Sequence, residues 1–134
     1  MATVLALDVG DKRIGVAKAD VDVRIASPLV TIAHDAQVWA TINNLVDETA
    51  AQAIVVGLPR NLNGDDTPQT AKARTFMAQL RANIGLPVHE QDEAATSVKA
   101  EEELRARGKH YDKSDIDALA ATYILEDYLQ EVKS

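Results

Sequence analysis

The chain contains no cysteine, few aromatic residues and no long apolar run, and each absence excludes a class of protein. Without cysteine there are no disulfide bonds, thiolate metal sites or cysteine nucleophiles, which is typical of proteins in a reducing compartment. Aromatic residues make up 4% of the sequence, so Ala, Val, Ile and Leu must build the core. No apolar run approaches the roughly 20 residues that a membrane-spanning helix needs, and the N-terminus carries no signal-type segment. We therefore expect a cytoplasmic protein without a membrane partner.

The chain also lacks an excess of positive charge, since its formal net charge is −7. This balance argues against a protein that coats nucleic acid through bulk electrostatics. It does not exclude a nuclease, because a metal-dependent site needs clustered carboxylates and a local basic patch can contact phosphates. The sequence contains two such patches: Lys12 with Arg13, and a second of Arg105, Arg107, Lys109 and Lys113. The second patch is equally consistent with ordinary solvated charge.

The length of 134 residues suits one domain, which we expect to occupy residues 1–134. Apolar runs and helical spacing of apolar residues predict alternating elements along the chain. The predicted strands cover 4–9, 14–17, 27–32, 53–58 and 86–91, and the predicted helices cover 36–52, 68–83, 95–107 and 115–132. No repeat, linker or low-complexity segment interrupts this order.

Particular residues predict where the helices begin and end. Asp35 is a candidate N-cap for the first helix, and Thr67 followed by Pro68 is a start signal for the second. Gly85 is expected to stop the second helix, and Gly108 is expected to stop the third.

Three leading strands joined by tight turns should pair antiparallel, whereas strands reached through a helix should add in parallel by right-handed crossovers. The fifth strand follows the second helix, and the fourth strand is apolar on both faces, as in sheets covered by helices. The sequence therefore predicts an α/β fold with a mixed five-stranded sheet and helices on both faces. This is the arrangement of the ribonuclease H-like fold.

A carboxylate within the first apolar run is the most informative feature of the sequence. Asp8 lies in a strand that should be buried, where an unpaired polar group costs about 2–7 kcal/mol. Gly10 follows two residues later and permits a close approach to the backbone. We expect Asp8 to hold a metal ion or to meet a ligand that bears phosphate. The alternative is an Asp that only satisfies backbone donors in the turn.

Further acids stand at the ends of other predicted elements. Asp92 and Glu93 end the last strand, and Asp115 and Asp117 open the final helix. Ligands of parallel sheets bind beyond the carboxyl ends of the strands, and Mg²⁺ or Mn²⁺ prefers oxygen ligands. Alternatively, Ser114 and Asp117 form a capping box, Asp115 serves the helix dipole, and Asp92 or Glu93 only starts the next helix.

The other acids and the histidines are interpreted as surface residues. Asp127 and Glu131 belong to the predicted final helix and are assigned to its solvated side. His34, His89 and His110 share no spacing typical of metal ligands.

Four segments carry a resemblance to a known family. They are Leu7-Asp8-Val9-Gly10-x-Lys12-Arg13-Ile14-Gly15-Val16-Ala17, Val56-Gly57-Leu58-Pro59-x-Asn61-x-x-Gly64, Asp92-Glu93-x-x-Thr96-Ser97, and Ile116-Asp117-x-x-Ala120-Ala121 with Ile124-Leu125 and Tyr128-Leu129. With these segments the chain is similar to the YqgF/RuvX family, Holliday junction resolvases also described as pre-16S rRNA nucleases. The resemblance extends over nearly the whole chain.

The resemblance implies a ribonuclease H-like nuclease that hydrolyses phosphodiester bonds with Mg²⁺ or Mn²⁺, by a two-metal-type mechanism. It implies that Asp8, Glu93 and Asp117 are the catalytic residues and metal ligands. Glu93 would serve as a further ligand or as the base for the attacking water.

The resemblance also implies contacts with the substrate. Lys12 and Arg13 would position the nucleic-acid backbone, Asn61 would border the site, and Arg60 would meet a phosphate. The alternative for Arg60 and Asn61 is a plain loop between a strand and a helix.

Two positions depart from the family pattern. Asp11 stands where the family usually has a small hydroxyl residue, and it adds negative charge close to Asp8. Ala94 stands where the family usually has Arg, so a bidentate partner for phosphate or carboxylate is lost.

Several functions remain open at this point. The leading hypothesis is a nuclease acting on the 5′ end of precursor 16S rRNA or on branched DNA, as a monomer or a homodimer. The alternative is a non-catalytic nucleic-acid-binding module of the same fold. A third class, ATP-handling proteins with a similar phosphate-binding hairpin, needs two facing domains and hence a longer chain.

Overall fold

In the computed structural model of this chain, the described residues are 2–94, 96–108 and 110–132. They form, in chain order, β1 (Thr3–Val9), β2 (Arg13–Asp20), β3 (Ala26–Ala33), α1 (Val38–Thr49), β4 (Ala51–Arg60), α2 (Pro68–Asn83), β5 (Val88–Ala94), α3 (Thr96–Ala106) and α4 (Lys113–Glu131). Every predicted strand and helix is present, and its ends differ from the prediction by at most three residues.

The strands form one sheet in the order β3-β2-β1-β4-β5. β1 pairs antiparallel with β2, and β2 pairs antiparallel with β3. β4 and β5 add in parallel on the other side of β1. The predicted mixed five-stranded sheet is therefore confirmed, with β1, the strand of Asp8, at its centre.

Alternating side chains of β1 divide the core between the two faces of the sheet. Leu5 and Leu7 are fully buried on one face, where α1 contributes Ile42 and α2 contributes Phe76 and Leu80. Burial of each such side chain stabilises the fold by about 1.5–3 kcal/mol relative to an exposed one. The side chain of Asp8 lies on the opposite face of the sheet.

The other face of the sheet is covered by α4. Val4 and Ala6 of β1 pack there against Ala121, Ile124 and Leu125 of α4. α3 packs in turn on α4, so the predicted helices on both faces are confirmed. In the described part of the chain, no helix is both long and apolar enough to cross a membrane.

Two glycines allow α4 to lie directly on the sheet. A Cβ atom on Gly15 of β2 would overlap the backbone carbonyl of Asp117, and one on Gly57 of β4 would overlap the side chain of Ile124. The first overlap involves backbone on both sides, so only glycine at position 15 permits this approach. The start of α4 is therefore fixed against β2.

Two of the predicted helix ends are correct. Thr67 caps α2 through a capping box with Thr70, and Pro68 occupies the first turn. Gly108 follows α3 with a φ of 69°, in the left-handed region that favours glycine.

Asp35 was wrongly predicted to cap α1. The N-cap position belongs to Gln37, whose side chain makes no capping bond, while Asp35 Oδ1 accepts from the Gln37 N–H at 2.9 Å. The side chain of Asp35 thus stabilises the turn that precedes the helix.

Gly85 was wrongly predicted to stop α2. The helix ends at Asn83, and Ile84 follows it in an extended conformation (φ −122°, ψ 130°). Ile84 is buried in the core, so packing of this side chain ends the helix before the glycine is reached.

The capping box of α4 lies earlier than predicted for Ser114 and Asp117. Asp112 is the N-cap, and its side chain and that of Asp115 exchange hydrogen bonds with each other's backbone N–H groups. The prediction of a structural role for Asp115 is confirmed, whereas Asp117 takes no part in the cap.

Candidate active site

Asp8 lies on the face of β1 that α4 covers. It follows Val4 and Ala6 on that face, and its neighbour across the sheet is Gly15 of β2. Burial, together with the nearby charge of Asp117, raises the pKa of Asp8 to about 7. A carboxyl whose charged form is destabilised in this way binds a proton or a cation readily.

Asp117 reaches Asp8 because α4 begins so close to Gly15. Its Oδ2 accepts a hydrogen bond of 2.6 Å from Nε of Arg13, at the start of β2. The side chain of Asp117 is 19% exposed and that of Arg13 is 40% exposed, so the pair stands at the rim of the site. Asp8 and Asp117, 109 positions apart in the sequence, thus form one acidic pair with a single guanidinium beside it.

Glu93 forms a second acidic pair, with Asp127 of α4. Glu93 lies near the end of β5, opposite Pro59, and is 8% exposed. Burial, followed by a hydrogen bond with Asp127 and the charges of Asp127 and Glu131, raises the pKa of Glu93 to about 9. Lys99 opposes this shift only partly. Glu93 therefore carries its proton at neutral pH and donates it toward Asp127.

The two acidic pairs lie at opposite ends of α4. Asp117 and Asp127 are ten residues apart, which corresponds to about 15 Å along the helix axis. Among residues 2–94, 96–108 and 110–132, no three His, Asp or Glu side chains lie close enough to hold one metal ion. The structure thus brings Asp8 and Asp117 together and places Glu93 with Asp127.

The interpretation of Asp127 as a solvated surface residue was wrong, since Asp127 is half-buried against Glu93. Glu131 is exposed, as interpreted, but it accepts a hydrogen bond from the buried amide of Gln91. Helical spacing carried a signal for Asp127. Asp127 follows the buried Ile124 by three residues, and residues at this spacing lie next to each other on a helix surface. Asp127 therefore lies near the side of α4 that packs on the sheet.

Asp92 and Glu93 point to opposite faces of the sheet, as successive strand residues do. Asp92 is exposed and accepts from Nη2 of Arg60 at 3.1 Å. Arg60 also pairs with Asp66, and its side chain is 19% exposed. The expected phosphate contact of Arg60 would therefore have to compete with two carboxylates.

Asn61 organises the loop after β4. Its Oδ1 accepts from the N–H groups of Asn63 and Asp65, each at 2.9 Å. An open depression of about 220 Å³ joins this loop to the end of β5. It is lined by Arg60, Asn61, Leu62, Gly64, Asp92 and Glu93. Asn61 thus lies beside Glu93 and the second acidic pair.

The turn between β1 and β2 presents charge of both signs. Lys12 is exposed there, next to Arg13. Asp11 forms an ion pair of 3.1 Å with Lys72 of α2, and this hydrogen bond and charge lower the pKa of Asp11. The charge of Asp11, the residue that departs from the family pattern, is therefore neutralised by Lys72.

The second basic patch is largely neutralised within α3. Arg105 pairs with Glu101 at 3.7 Å, and Arg107 pairs with Glu103, each one helical turn away. Lys113 is exposed, and Lys109 lies outside the described residues. These pairs favour the interpretation of this patch as ordinary surface charge.

Comparison with known proteins gives consistent family matches. A family model described as "RuvX: Holliday junction resolvase" matches residues 2–131. A protein of Chloroflexus aggregans is 47% identical over 131 residues, which cover 95% of this chain and 92% of that protein. A protein of Pseudomonas putida is 37% identical over 132 residues, covering 95% and 94%. Both carry the name "Putative pre-16S rRNA nuclease".

Solved structures show the same fold at low sequence identity. The structure "T. thermophilus RuvC in complex with Holliday junction substrate" superposes with a TM-score of 0.58 at 17% identity and covers 98% of this chain and 95% of that one. The fowlpox virus Holliday junction resolvase superposes with a TM-score of 0.53 at 13% identity, covering 97% and 99%. The fold is therefore the ribonuclease H-like fold of these resolvases.

Proposed function

Because this chain belongs to the RuvX family of Holliday junction resolvases, we propose that it is a nuclease that hydrolyses phosphodiester bonds of structured nucleic acid. The names of its relatives favour precursor 16S rRNA as the substrate, and we propose cleavage at its 5′ end. The family description favours resolution of branched DNA. The two substrates share a charged backbone with accessible phosphates, so one site can serve either.

The observation that carries this proposal is the pair of Asp8 and Asp117. Burial and, to a smaller extent, repulsion from Asp117 raise the pKa of Asp8, and a divalent cation bound between the two carboxylates would relieve that repulsion. Their four carboxylate oxygens fit Mg²⁺ or Mn²⁺, which prefer oxygen ligands and keep waters for a phosphate. When bound, such a cation polarises the phosphoryl oxygen and activates the attacking water.

The two-metal-type mechanism proposed here also uses Glu93. For Glu93 to become a ligand beside Asp8 and Asp117, it must give up its proton and its contact with Asp127. A second cation would therefore compete with that proton. Occupancy of the second position should increase as the pH rises toward 9.

Arg13 and Lys12 are the proposed phosphate contacts. Arg13 donates to Asp117 through Nε, and its terminal nitrogens donate no hydrogen bond to a carboxylate among the described residues. Lys12 is exposed in the same turn. Asn61, with Arg60, would contact the backbone on the side of Glu93, where both line the depression after β4.

One observation favours the alternative of a non-catalytic nucleic-acid-binding module. Glu93 is held by Asp127 at a distance from Asp8, so the three acids do not form one cluster in this structure. A protein fixed in this arrangement would bind nucleic acid and leave it intact.

A cleavage assay separates the two functions. Labelled precursor rRNA, linear single strands and four-way DNA junctions would each be incubated with Mg²⁺, Mn²⁺ or EDTA. The wild type would be compared with Asp8→Asn, and with Asp47→Asn as a control at an exposed position of α1. We expect metal-dependent cleavage that only Asp8→Asn abolishes. Binding without cleavage in the wild type would establish the binding module.

A further inference from the structure

A cavity of about 330 Å³ opens beside the turn that follows β1. It lies between this turn and α2, on the sheet face opposite Asp8, where Val9 packs toward the core. Its walls include Val9, Gly10, His34, Ala71, Phe76 and Gln79. The volume is within the range of pockets that bind small ligands.

The inner wall of the cavity is aromatic. Phe76 is 3% exposed and meets the ring of His34 edge-on, with ring centroids 5.3 Å apart. Nδ1 of His34 donates to the carbonyl of Gly10 at 2.7 Å, which fixes the imidazole against the turn. His34, which the sequence placed on the surface, is thus a half-buried part of this wall. Phe76 also stacks on Trp39, with ring centroids 5.0 Å apart, so it supports the wall from beneath and leaves the imidazole of His34 as the ring that can meet a planar heterocycle.

The mouth of the cavity is polar and carries both charges. Asp11 and Lys72 pair across it at 3.1 Å, and each side chain is 57% exposed. Gln69 and Thr75 complete the rim as exposed polar groups. Asp11 can accept from the N–H groups of a base edge, and Lys72 can meet a base carbonyl or a phosphate.

The cavity is close to the acidic pair. Gly10 follows Asp8 by two residues, so their Cα atoms are at most about 7.6 Å apart. Stacked nucleotides rise about 3.4 Å each, so this separation corresponds to about two nucleotides of one strand. Because Asp8 lies on the other face of the sheet, a strand with its phosphate at Asp8 would turn around the sheet edge at Gly10 and so bring a neighbouring base to the mouth of the cavity.

We propose that this cavity takes one unpaired nucleobase of the substrate strand, close to the scissile phosphate. This inference rests on the proposed nuclease function and adds to it a binding site for the base. Proteins that recognise unpaired nucleotides commonly stack the base on aromatic side chains and bind its edge with polar groups. The walls and rim described here supply both kinds of contact.

A larger cavity of about 560 Å³ does not fit a substrate strand equally well. It lies between α3, α4 and β3, and its lining carries Glu103, Asp115 and Glu126 together with His110 and Arg107, of which Arg107 is paired with Glu103. Tyr123 donates its hydroxyl to Glu103 there, so the phenol is already bound. These acids would repel the phosphates on either side of a base.

The first test removes single bases from the substrate. Binding of labelled RNA and four-way DNA junctions to the wild type would be measured by fluorescence anisotropy in EDTA, with an abasic nucleotide placed at each position around the cleavage site. We expect one position at which the missing base weakens binding about 10-fold. Equal affinity for every abasic substrate would overturn the proposal.

The second test fills the cavity from an exposed position of α2. Ala71→Phe would occupy the cavity, whereas Ala78→Phe makes the same change on the same helix outside it. We expect Ala71→Phe to weaken binding about 10-fold and to remove the effect of the abasic position. Ala78→Phe should match the wild type. Equal affinities of the two variants would contradict the proposed pocket.

These outcomes are distinct from those of the nuclease assay. If the wild type cleaves nucleic acid but shows no base dependence, the pocket fails and the nuclease stands. If the wild type shows base dependence but no cleavage, the nuclease fails and the pocket stands.

Discussion

The two ends of α4 each place an aspartate against an acid of the sheet, and the two resulting pairs differ in their counter-charge. At the N-terminal end, Asp117 meets Asp8 and is held by Arg13 at the rim. At the other end, Asp127 meets the buried Glu93, and the nearby Glu131 adds further negative charge. The first pair has a guanidinium as its counter-charge, whereas the second is stabilised by a proton.

This difference suggests an order of binding. A cation can enter between Asp8 and Asp117 without removing a tightly held proton, because the pKa of Asp8 is about 7. At Glu93 the corresponding pKa is about 9, so a cation must first displace the proton. For the proposed metal-dependent nuclease, the pair of Asp8 and Asp117 would therefore be the primary metal site.

The largest expected effect comes from matched substitutions at the two ends of the helix. Asp117→Asn should lower the cleavage rate about a thousandfold, because loss of a metal ligand removes several kcal/mol of transition-state stabilisation. Asp127→Asn keeps a hydrogen-bonding partner for Glu93 and should lower the rate less than 10-fold. Single-turnover kinetics on the preferred substrate would measure both. Equal losses would show that the two ends contribute alike.

The next effect concerns the glycine that positions the first pair. Gly15→Ala should reduce the free energy of unfolding by about 3 kcal/mol, because the new Cβ overlaps the carbonyl of Asp117. Gly85→Ala is the matched control, since nothing lies within 4 Å of a Cβ there. Urea unfolding of both variants would measure the difference. A Gly15→Ala variant as stable as Gly85→Ala would mean that α4 tolerates displacement from β2.

Stability should depend on pH through the second pair. The pKa of Glu93 is raised in the folded state from 4.5 to about 9, so the contribution of this proton to stability is complete below pH 4.5, decreases as the pH rises above 4.5 and is lost at about pH 9. The wild type should therefore unfold more easily at pH 9 than at pH 5. In Glu93→Gln, the decrease in the free energy of unfolding between pH 5 and pH 9 should be about 2 kcal/mol smaller than in the wild type.

Asp8 contributes in the same direction over a lower range, from pH 3.8 to about 7. Asp8→Asn therefore serves as the control for that range. Thermal unfolding of the three proteins across this pH series would separate the two contributions. A Glu93→Gln variant with the pH profile of the wild type would contradict the buried, protonated state of Glu93.

The smallest expected effect is that of the ion pair at the rim. Arg13→Gln should reduce stability by about 0.5 kcal/mol in EDTA, because a partly exposed pair contributes little. In saturating Mg²⁺ the decrease in stability caused by Arg13→Gln should be smaller, since the cation would take the place of the guanidinium beside Asp117. Urea unfolding in both buffers would measure this difference. An equal loss in both would indicate that Arg13 and the cation act independently.

The sequence predicted the fold more completely than it predicted the site. Apolar runs, the helical spacing and the chain order were sufficient for the mixed sheet, because each is a local pattern with a general rule behind it. Asp8 was identifiable since a carboxylate in an apolar strand needs a partner. The partner itself depends on how α4 crosses the sheet, which no local pattern reports.

The errors at the helix ends and at Asp127 have a common physical origin. Asp35, Gly85 and Ser114 each matched a capping rule, but packing and a neighbouring aspartate decided the actual ends. The contact between Glu93 and Asp127 likewise depends on the tertiary approach of two elements. Contacts of this kind join residues that are distant in the chain, so local sequence patterns do not predict them and a three-dimensional structure is needed to find them.

The most direct test of the account is the number of Mn²⁺ ions that the protein binds at neutral pH, measured by titration and electron paramagnetic resonance. We expect Asp8→Asn and Asp117→Asn to lose the tightest site, whereas Glu93→Gln and Asp127→Asn should keep it. The result that would contradict the account is a Glu93→Gln variant without tight Mn²⁺ binding, or an Asp8→Asn variant that retains it.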